Sequence, residues 1–163
     1  MAETLTVPKD VSKDALYRDL LPQIESVLAG TTDMVANMAN VAAILKTTFD
    51  FHWVGFYRAV KPDMMVLGPF QGPLACVEIP FTKGVCGAAA RTGETVVVPD
   101  VEKFPGHIAC SSLSKSEIVV PGVVDGKTIF VLDVDSDVLE AFDDTDKAWL
   151  EKIVAALVRA GEL

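Results

Sequence analysis

Three cysteines are the groups in this chain most able to do covalent chemistry: Cys76, Cys86 and Cys110. Cys110 lies in HIACSSLSKSEIVVP (107–121), among Ser111, Ser112, Ser114 and Ser116 and ahead of Glu117. A structural cysteine behaves as a small hydrophobe and hides among apolar neighbours. This one sits in a polar loop, where a reactive thiol belongs. Cys86 lies in FTKGVCGAAARTG, where a glycine-bounded turn enters a short alanine-rich helix. The helix N-terminus and Lys83 would both favour thiolate there. That matters because an unassisted thiol, with a pKa of about 8.5, is only a few per cent ionised at neutral pH. Cys76 falls mid-strand in ACVEIP, where an inert buried thiol is the plainer reading. Counting alone leaves inert and redox-active thiols both open. His52 and His107 form no ligand pattern with the cysteines, so the spacing predicts no metal site.

Carboxylates form the second group. In KTIFVLDVDS side chains alternate across a sheet, so Phe130, Leu132 and Val134 point one way and Ile129, Val131, Asp133 and Asp135 the other. Two carboxylates on one face make either a strand end emerging into solvent or a small acidic pocket. In a pocket, like charges that close raise at least one pKa and let a carboxyl group donate a proton. The strand HWVGFYRAV poses a similar choice. Phe51, Trp53, Gly55 and Tyr57 share a face, and Gly55 leaves a gap between aromatic rings. Such a stripe is ordinary core unless the glycine marks close approach by a ligand, an apolar or cationic group held against ring faces.

The elements that must position these groups are legible. Leu16, Leu20, Ile24, Val27 and Leu28 recur at helical spacing over residues 12–29, although Pro22 should kink or break that helix. A second helix fits 33–48 with Asp33 as N-cap, and a last one runs from about Thr145 to Ala160 behind Asp143 or Asp144. Between them, 52–60, 64–67, 75–80, 95–99, 117–124 and 127–135 read as short β-branched strands, with Asp125-Gly126 as a two-residue hairpin turn. Helices at both ends of hairpin-linked strands imply an α+β fold on an antiparallel sheet of about six strands, with the terminal helices packed on one face. Residues 1–11 are expected as a loose tail before one domain over 12–163.

Bulk composition narrows the function. The chain has 163 residues and a formal net charge of −9, with no block of lysine or arginine. Such a surface repels phosphate backbones and anionic membranes, so neither nucleic acid nor membrane is an expected partner. No secretory leader and no apolar span are present, which points to the cytoplasm, where thiols stay reduced outside a catalytic cycle.

Together the segments ANMANVAAIL, WVGFY, LGPFQGPLAC, IPFTKGVCG, HIACSSLSKSEIVVP, LDVDS and FDDTD resemble the free methionine-(R)-sulfoxide reductases, a single-domain branch of the GAF fold. The likeness runs from about Ala36 to Ala156, and all three cysteines fall on that family's cysteine positions. It implies reduction of the sulfoxide of free methionine. Cys110 would attack the sulfoxide sulfur, Glu117 and Asp135 would be the acid pair, and Asp133 would complete a cluster for the substrate's ammonium group. Trp53 would hold the terminal methyl and Tyr57 would line the pocket. Cys110 would become a sulfenic acid, and Cys86 or Cys76 would condense with it to a disulfide. The resemblance implies no bound cofactor, an external thioredoxin-like dithiol as reductant, and leaves a homodimer open. Ser111, Glu78 and Pro73 depart from the family's usual residues, which are Asp, a basic residue and Lys. The alternative is a GAF-type sensor that binds a small molecule without chemistry, which does not require three cysteines beside an acidic triad.

The acid pair makes a demand on register. With Asp125-Gly126 as the turn, unbroken pairing sets Glu117 opposite Val134, on the wrong face. One extra residue in the first strand, at Pro121-Gly122, would bring Glu117 opposite Asp133. A bulge is expected there, or else Glu117 reaching in from the preceding loop.

Overall fold

A computed structural model describes residues 4–108 and 110–161. The first three residues of the expected tail lie outside the described residues, as do the last two of the chain. In chain order the elements are α1 (Lys13–Leu28), α2 (Met34–Phe49), β1 (Trp53–Lys61), β2 (Met64–Gln71), β3 (Glu78–Pro80), α3 (Gly84–Thr92), β4 (Val96–Val98), β5 (Ser116–Val124), β6 (Lys127–Ser136) and α4 (Asp144–Ala160). The strands form one sheet in the order β3-β2-β1-β6-β5-β4, and every neighbouring pair is antiparallel. This is the expected α+β architecture.

Local chemistry explains the ends of the elements. Asp33 accepts from Ala36 N (2.8 Å) and starts α2, and Asp50 ends it in the left-handed region. Asp143 and Asp146 make a reciprocal capping box at the start of α4. Asp125 and Gly126 both take positive φ, as a type I′ hairpin demands. Pro22 does not break α1. It lies on the exposed face, where the carbonyl it leaves without a donor can meet water.

Helices α1, α2 and α4 cover one face of the sheet. Tyr17, Leu20, Ile24, Met38, Leu45, Leu150, Ile153 and Leu157 are fully buried there against Val54, Phe56, Ile118, Phe130, Leu132 and Val134. Each such aliphatic or aromatic side chain contributes about 1.5–3 kcal/mol on burial. Asp146 ties α4 to α1 by accepting from Tyr17 Oη (2.8 Å) and Lys13 Nζ (2.6 Å). The opposite face is smaller and carries α3, whose Cys86 is buried with Trp53, Tyr57, Met65, Val119 and Val131 of the sheet. Its outer edge is formed by the loop 72–77 and by residues 104–108 and 110–115 ahead of β5.

Two side chains leave the face their alternation predicts. Phe51 precedes β1 and packs with Phe49 (5.0 Å) and Phe142 (5.7 Å) in the helical layer, not beside Trp53. Ile129 also joins the helical layer instead of following Val131. Its cause is a bulge in the β5–β6 hairpin. Val123 pairs with Thr128 and Gly122 with Phe130, so Ile129 is the extra residue.

The bulge therefore sits on the second strand of the hairpin, not at Pro121-Gly122 on the first. Gly122 has another duty. A Cβ there would run into the tip of the Phe130 ring, 2.7 Å from its Cε1 and Cε2, so the ring packs over the bare glycine. Pro121 lies beyond the last residue of β5 that pairs with β4, so its missing N–H takes nothing from that ladder. The corrected register sets Glu117 opposite Asp135 rather than Asp133. Parity is what counts, and either bulge turns Glu117 to the α3 face.

Candidate active site

Three central strands deliver the site. Trp53 pairs with Asp135, Gly55 with Asp133, and Glu117 with Asp135 from the other side. Side chains directly opposite one another share a face, so Trp53, Glu117, Asp133 and Asp135 all stand beneath the outer loops. They line one pocket with Tyr57, Cys86, His107, Cys110 and Ser114, and its free space is about 40 Å³. One water requires about 10–15 Å³ on that measure, so the pocket as it stands holds only a few.

The floor of the pocket is acidic and nearly dry. Glu117 and Asp133 are 5% and 7% exposed and hydrogen-bond each other. Burial pushes both carboxyls well above the usual range, and the neighbouring charge adds to it: Asp135 for Glu117, Glu117 for Asp133. Asp135 is raised too, by burial and then by Asp133, against a partly offsetting hydrogen bond from Ser114. The acidic-pocket reading of this strand end is therefore correct, and the solvated reading is not. Asp133 Oδ1 is buried without a hydrogen-bond partner.

Cys86 corrects an expectation. It does sit in the first turn of α3, but Lys83 is exposed and the thiol is buried among the carboxyls, donating to Asp133. Burial first, then Asp133, Glu117 and Asp135, push its pKa well above that of a free thiol. Burial beside three close carboxyls in a dry site outweighs a helix dipole whose effect fades within a turn. Cys86 stays a thiol. Its Sγ lies within 4.8 Å of carboxylate oxygens of Glu117 and Asp133, a geometry open to a metal that sequence spacing could not show. Metal binding needs deprotonated ligands, and all three groups here favour their protons.

Cys76 is not mid-strand either. Strand β3 begins only at Glu78, and Cys76 lies in the loop before it, bonded to Cys110 with Cα atoms 5.4 Å apart. The carbonyl of Cys76 accepts from Tyr57 Oη (3.0 Å), and that of Val77 from Leu67 N. Cys110 is half-buried and lines the pocket above the acids. Of the three cysteines Cys86 alone is free.

Trp53 is 3% exposed, stacked between Phe70 (5.4 Å) and Tyr57 (6.0 Å), and donates from Nε1 to the carbonyl of Pro73 (3.1 Å). Gly55 does not leave a gap for a ligand. A Cβ there would lie 2.6 Å from Trp53 Cη2 and 2.9 Å from Phe70 Cα, so the protein's own rings fill the space. Tyr57 has its hydroxyl pKa raised by burial and then by Asp133. Of the departures, Ser111 meets His52 Nε2 at 3.2 Å, Pro73 receives the indole bond, and Glu78 is exposed.

His107 was missed as a site residue. Its Nε2 lies 3.6 Å from Glu117 Oε2, and partial burial lowers its pKa, which favours the neutral ring. A signal existed, since His107 opens the segment that carries Cys110 and Glu117. Sequence spacing tested the histidines only as metal ligands. Ser114, whose place in the sequence reads as loop polarity, hydrogen-bonds Asp135.

An antiparallel sheet backed by helices, with a disulfide, a buried thiol and carboxyls of raised pKa around a pocket on its other face, defines a small-molecule-binding α+β protein equipped for redox chemistry. The GAF domain family matches residues 31–160. A GAF domain-containing protein A of Dictyostelium discoideum is 55% identical over 96% of this chain and 99% of its own length. The free methionine-R-sulfoxide reductase of Escherichia coli is 44% identical, covering 90% of this chain and 89% of its own. A structure of free methionine-R-sulfoxide reductase from Neisseria meningitidis in complex with its substrate superposes with a TM-score of 0.90 at 56% identity, over 93% and 92% of the two chains. The chain belongs to the GAF domain family. No helix among the described residues is long and apolar enough to cross a membrane.

Proposed function

We propose that this protein reduces free L-methionine-(R)-sulfoxide to methionine. One observation carries the reading: Cys110, half of a disulfide, lines the same pocket whose floor is Glu117, Asp133 and Asp135. A sulfoxide oxygen is a poor leaving group until it is protonated, and these carboxyls hold their protons well above the usual range. The names borne by relatives in Escherichia coli and Neisseria meningitidis support the substrate.

In the cycle, the Cys110 thiolate attacks the sulfoxide sulfur while Glu117, opposite Asp135, gives its proton to the oxygen. Oxygen passes to Cys110, the substrate sulfur gains the two electrons that Cys110 loses, and methionine leaves a sulfenic acid behind. The Cys76 thiol then displaces that hydroxyl, which leaves as water with the proton that Cys76 gives up, and forms the disulfide. Asp133, with Oδ1 unpaired, takes the ammonium of the substrate, Trp53 receives its methyl group, and Tyr57 closes the wall. Cys86 remains a thiol beneath them. With only a few waters' worth of free space, the next substrate enters once a thioredoxin-like dithiol reduces the disulfide and lets the two loops part. The test is to supply free L-methionine-(R)-sulfoxide with a dithiol and measure methionine. Tight binding without turnover would favour a sensor on the same fold instead.

A further inference from the structure

Among the described residues the three most exposed large hydrophobic side chains, Leu74 (89%), Val77 (65%) and Leu113 (61%), all lie within three residues of a disulfide cysteine. Surface apolar residues scattered singly need no explanation, but a cluster around one reactive bond does. Charge is arranged the same way. The protein carries −9 overall, yet residues 64–77 and 104–114 contain no Asp, Glu, Lys or Arg. Both loops joined by the disulfide are therefore apolar-tipped and free of the repulsion that the rest of the surface offers to an acidic partner.

The two sulfurs are not equivalent. Cys110 lines the acidic pocket, whereas Cys76 does not and is flanked by Leu74 and Val77 on its own loop. We infer that the patch formed by Leu74, Val77 and Leu113 is the docking surface for a dithiol protein reductant, which attacks the disulfide at Cys76. The partner's thiolate bonds to Cys76 Sγ and expels the Cys110 thiolate, which is left in the pocket as the next nucleophile. The partner's second thiol then attacks the mixed disulfide, expels the Cys76 thiolate, and leaves the partner oxidised by two electrons. Such a partner presents its dithiol on a flat apolar rim of low charge. The inference rests on the proposed redox cycle only in that the disulfide must be reopened.

Its test reads the enzyme's own disulfide rather than methionine formation, so it is independent of the substrate reading. Reduced thioredoxin is the probe and dithiothreitol the control, with release of enzyme thiols followed in time. The double variant V77T/L113Q keeps side-chain size, adds no charge and leaves the pocket lining intact. We expect the second-order rate with thioredoxin to fall about tenfold, equivalent to about 1.4 kcal/mol of lost encounter free energy, while the rate with dithiothreitol stays unchanged. Thioredoxin whose second cysteine is replaced by serine should be trapped on wild-type Cys76, as read by peptide mass spectrometry. An unchanged thioredoxin rate in the variant, or an adduct on Cys110, overturns the proposal. Absence of methionine formation with either reductant would instead sink the substrate reading and leave this one standing.

Discussion

Replacing Gly55 with alanine is expected to unseat Trp53. The added methyl would lie 2.6 Å from Trp53 Cη2 and 2.9 Å from Phe70 Cα. The indole can swing away, but Phe70 Cα is backbone, and Phe70 is the register partner of Gly55 in β2. Relief therefore means parting β1 from β2 or moving the indole, and both disturb the pocket wall. Overpacking of this kind costs about 1–3 kcal/mol. At about 2–4 °C per kcal/mol for a chain of this size, the melting temperature should fall by roughly 2–12 °C. Because Trp53 is assigned to the substrate's methyl group and not to its oxygen, KM should rise more than kcat falls. Scanning calorimetry and steady-state kinetics with dithiothreitol read both effects on one preparation. A melting temperature within about a degree of wild type, together with an unchanged KM, would refute the reasoning and restore Gly55 as open space for a ligand.

The remaining expectations concern chemistry. Without added reductant, Cys110→Ser should abolish the single turnover that releases methionine, while Cys76→Ser and Cys86→Ser keep it; full yield from Cys110→Ser would move the nucleophile to Cys86. The (S)-epimer and N-acetylated substrate should be inert, since a site that binds the free ammonium leaves no path for a peptide chain; comparable kcat/KM on the acetylated compound removes that role from Asp133. Glu117→Gln should lower kcat by about 10²–10⁴. The same variant has a stability signature. Folded-state pKa values of Glu117, Asp133 and Asp135 lie above their unfolded values, so the native state binds the extra protons. The stability they contribute is present below about pH 4, the unfolded range, and is lost as pH rises toward the raised values. Glu117→Gln removes one such group, so its melting temperature should gain on wild type as pH increases; a constant difference across pH contradicts the buried-acid assignment.

Much of the fold was legible because its signals are local. Asp33 and Asp143 cap helices through their own backbone neighbours, Asp125-Gly126 makes the turn its φ preferences dictate, and the period of α4 places Leu150, Ile153 and Leu157 inward. The residue types at the site were legible for the same reason. Asp133 and Asp135 share a face because strand alternation is a property of the chain.

Tertiary structure alone decided how those residues act. The bulge at Ile129 depends on the Phe130 ring packing over Gly122 across the hairpin, which no local pattern encodes, and that packing turns Glu117 toward the two aspartates. Gly55 read as a space because the sequence does not say that Phe70 from β2 lies over it. Cys86 has the helix position of an activated thiolate, and only the strands beneath it supply the three carboxyls and the burial that keep it protonated. Cys76 and Cys110 stand 34 residues apart, and their pairing rests on two loops brought together over one sheet face. Protonation and disulfide choice are set by what surrounds a group through space, and a sequence orders only what surrounds it along the chain.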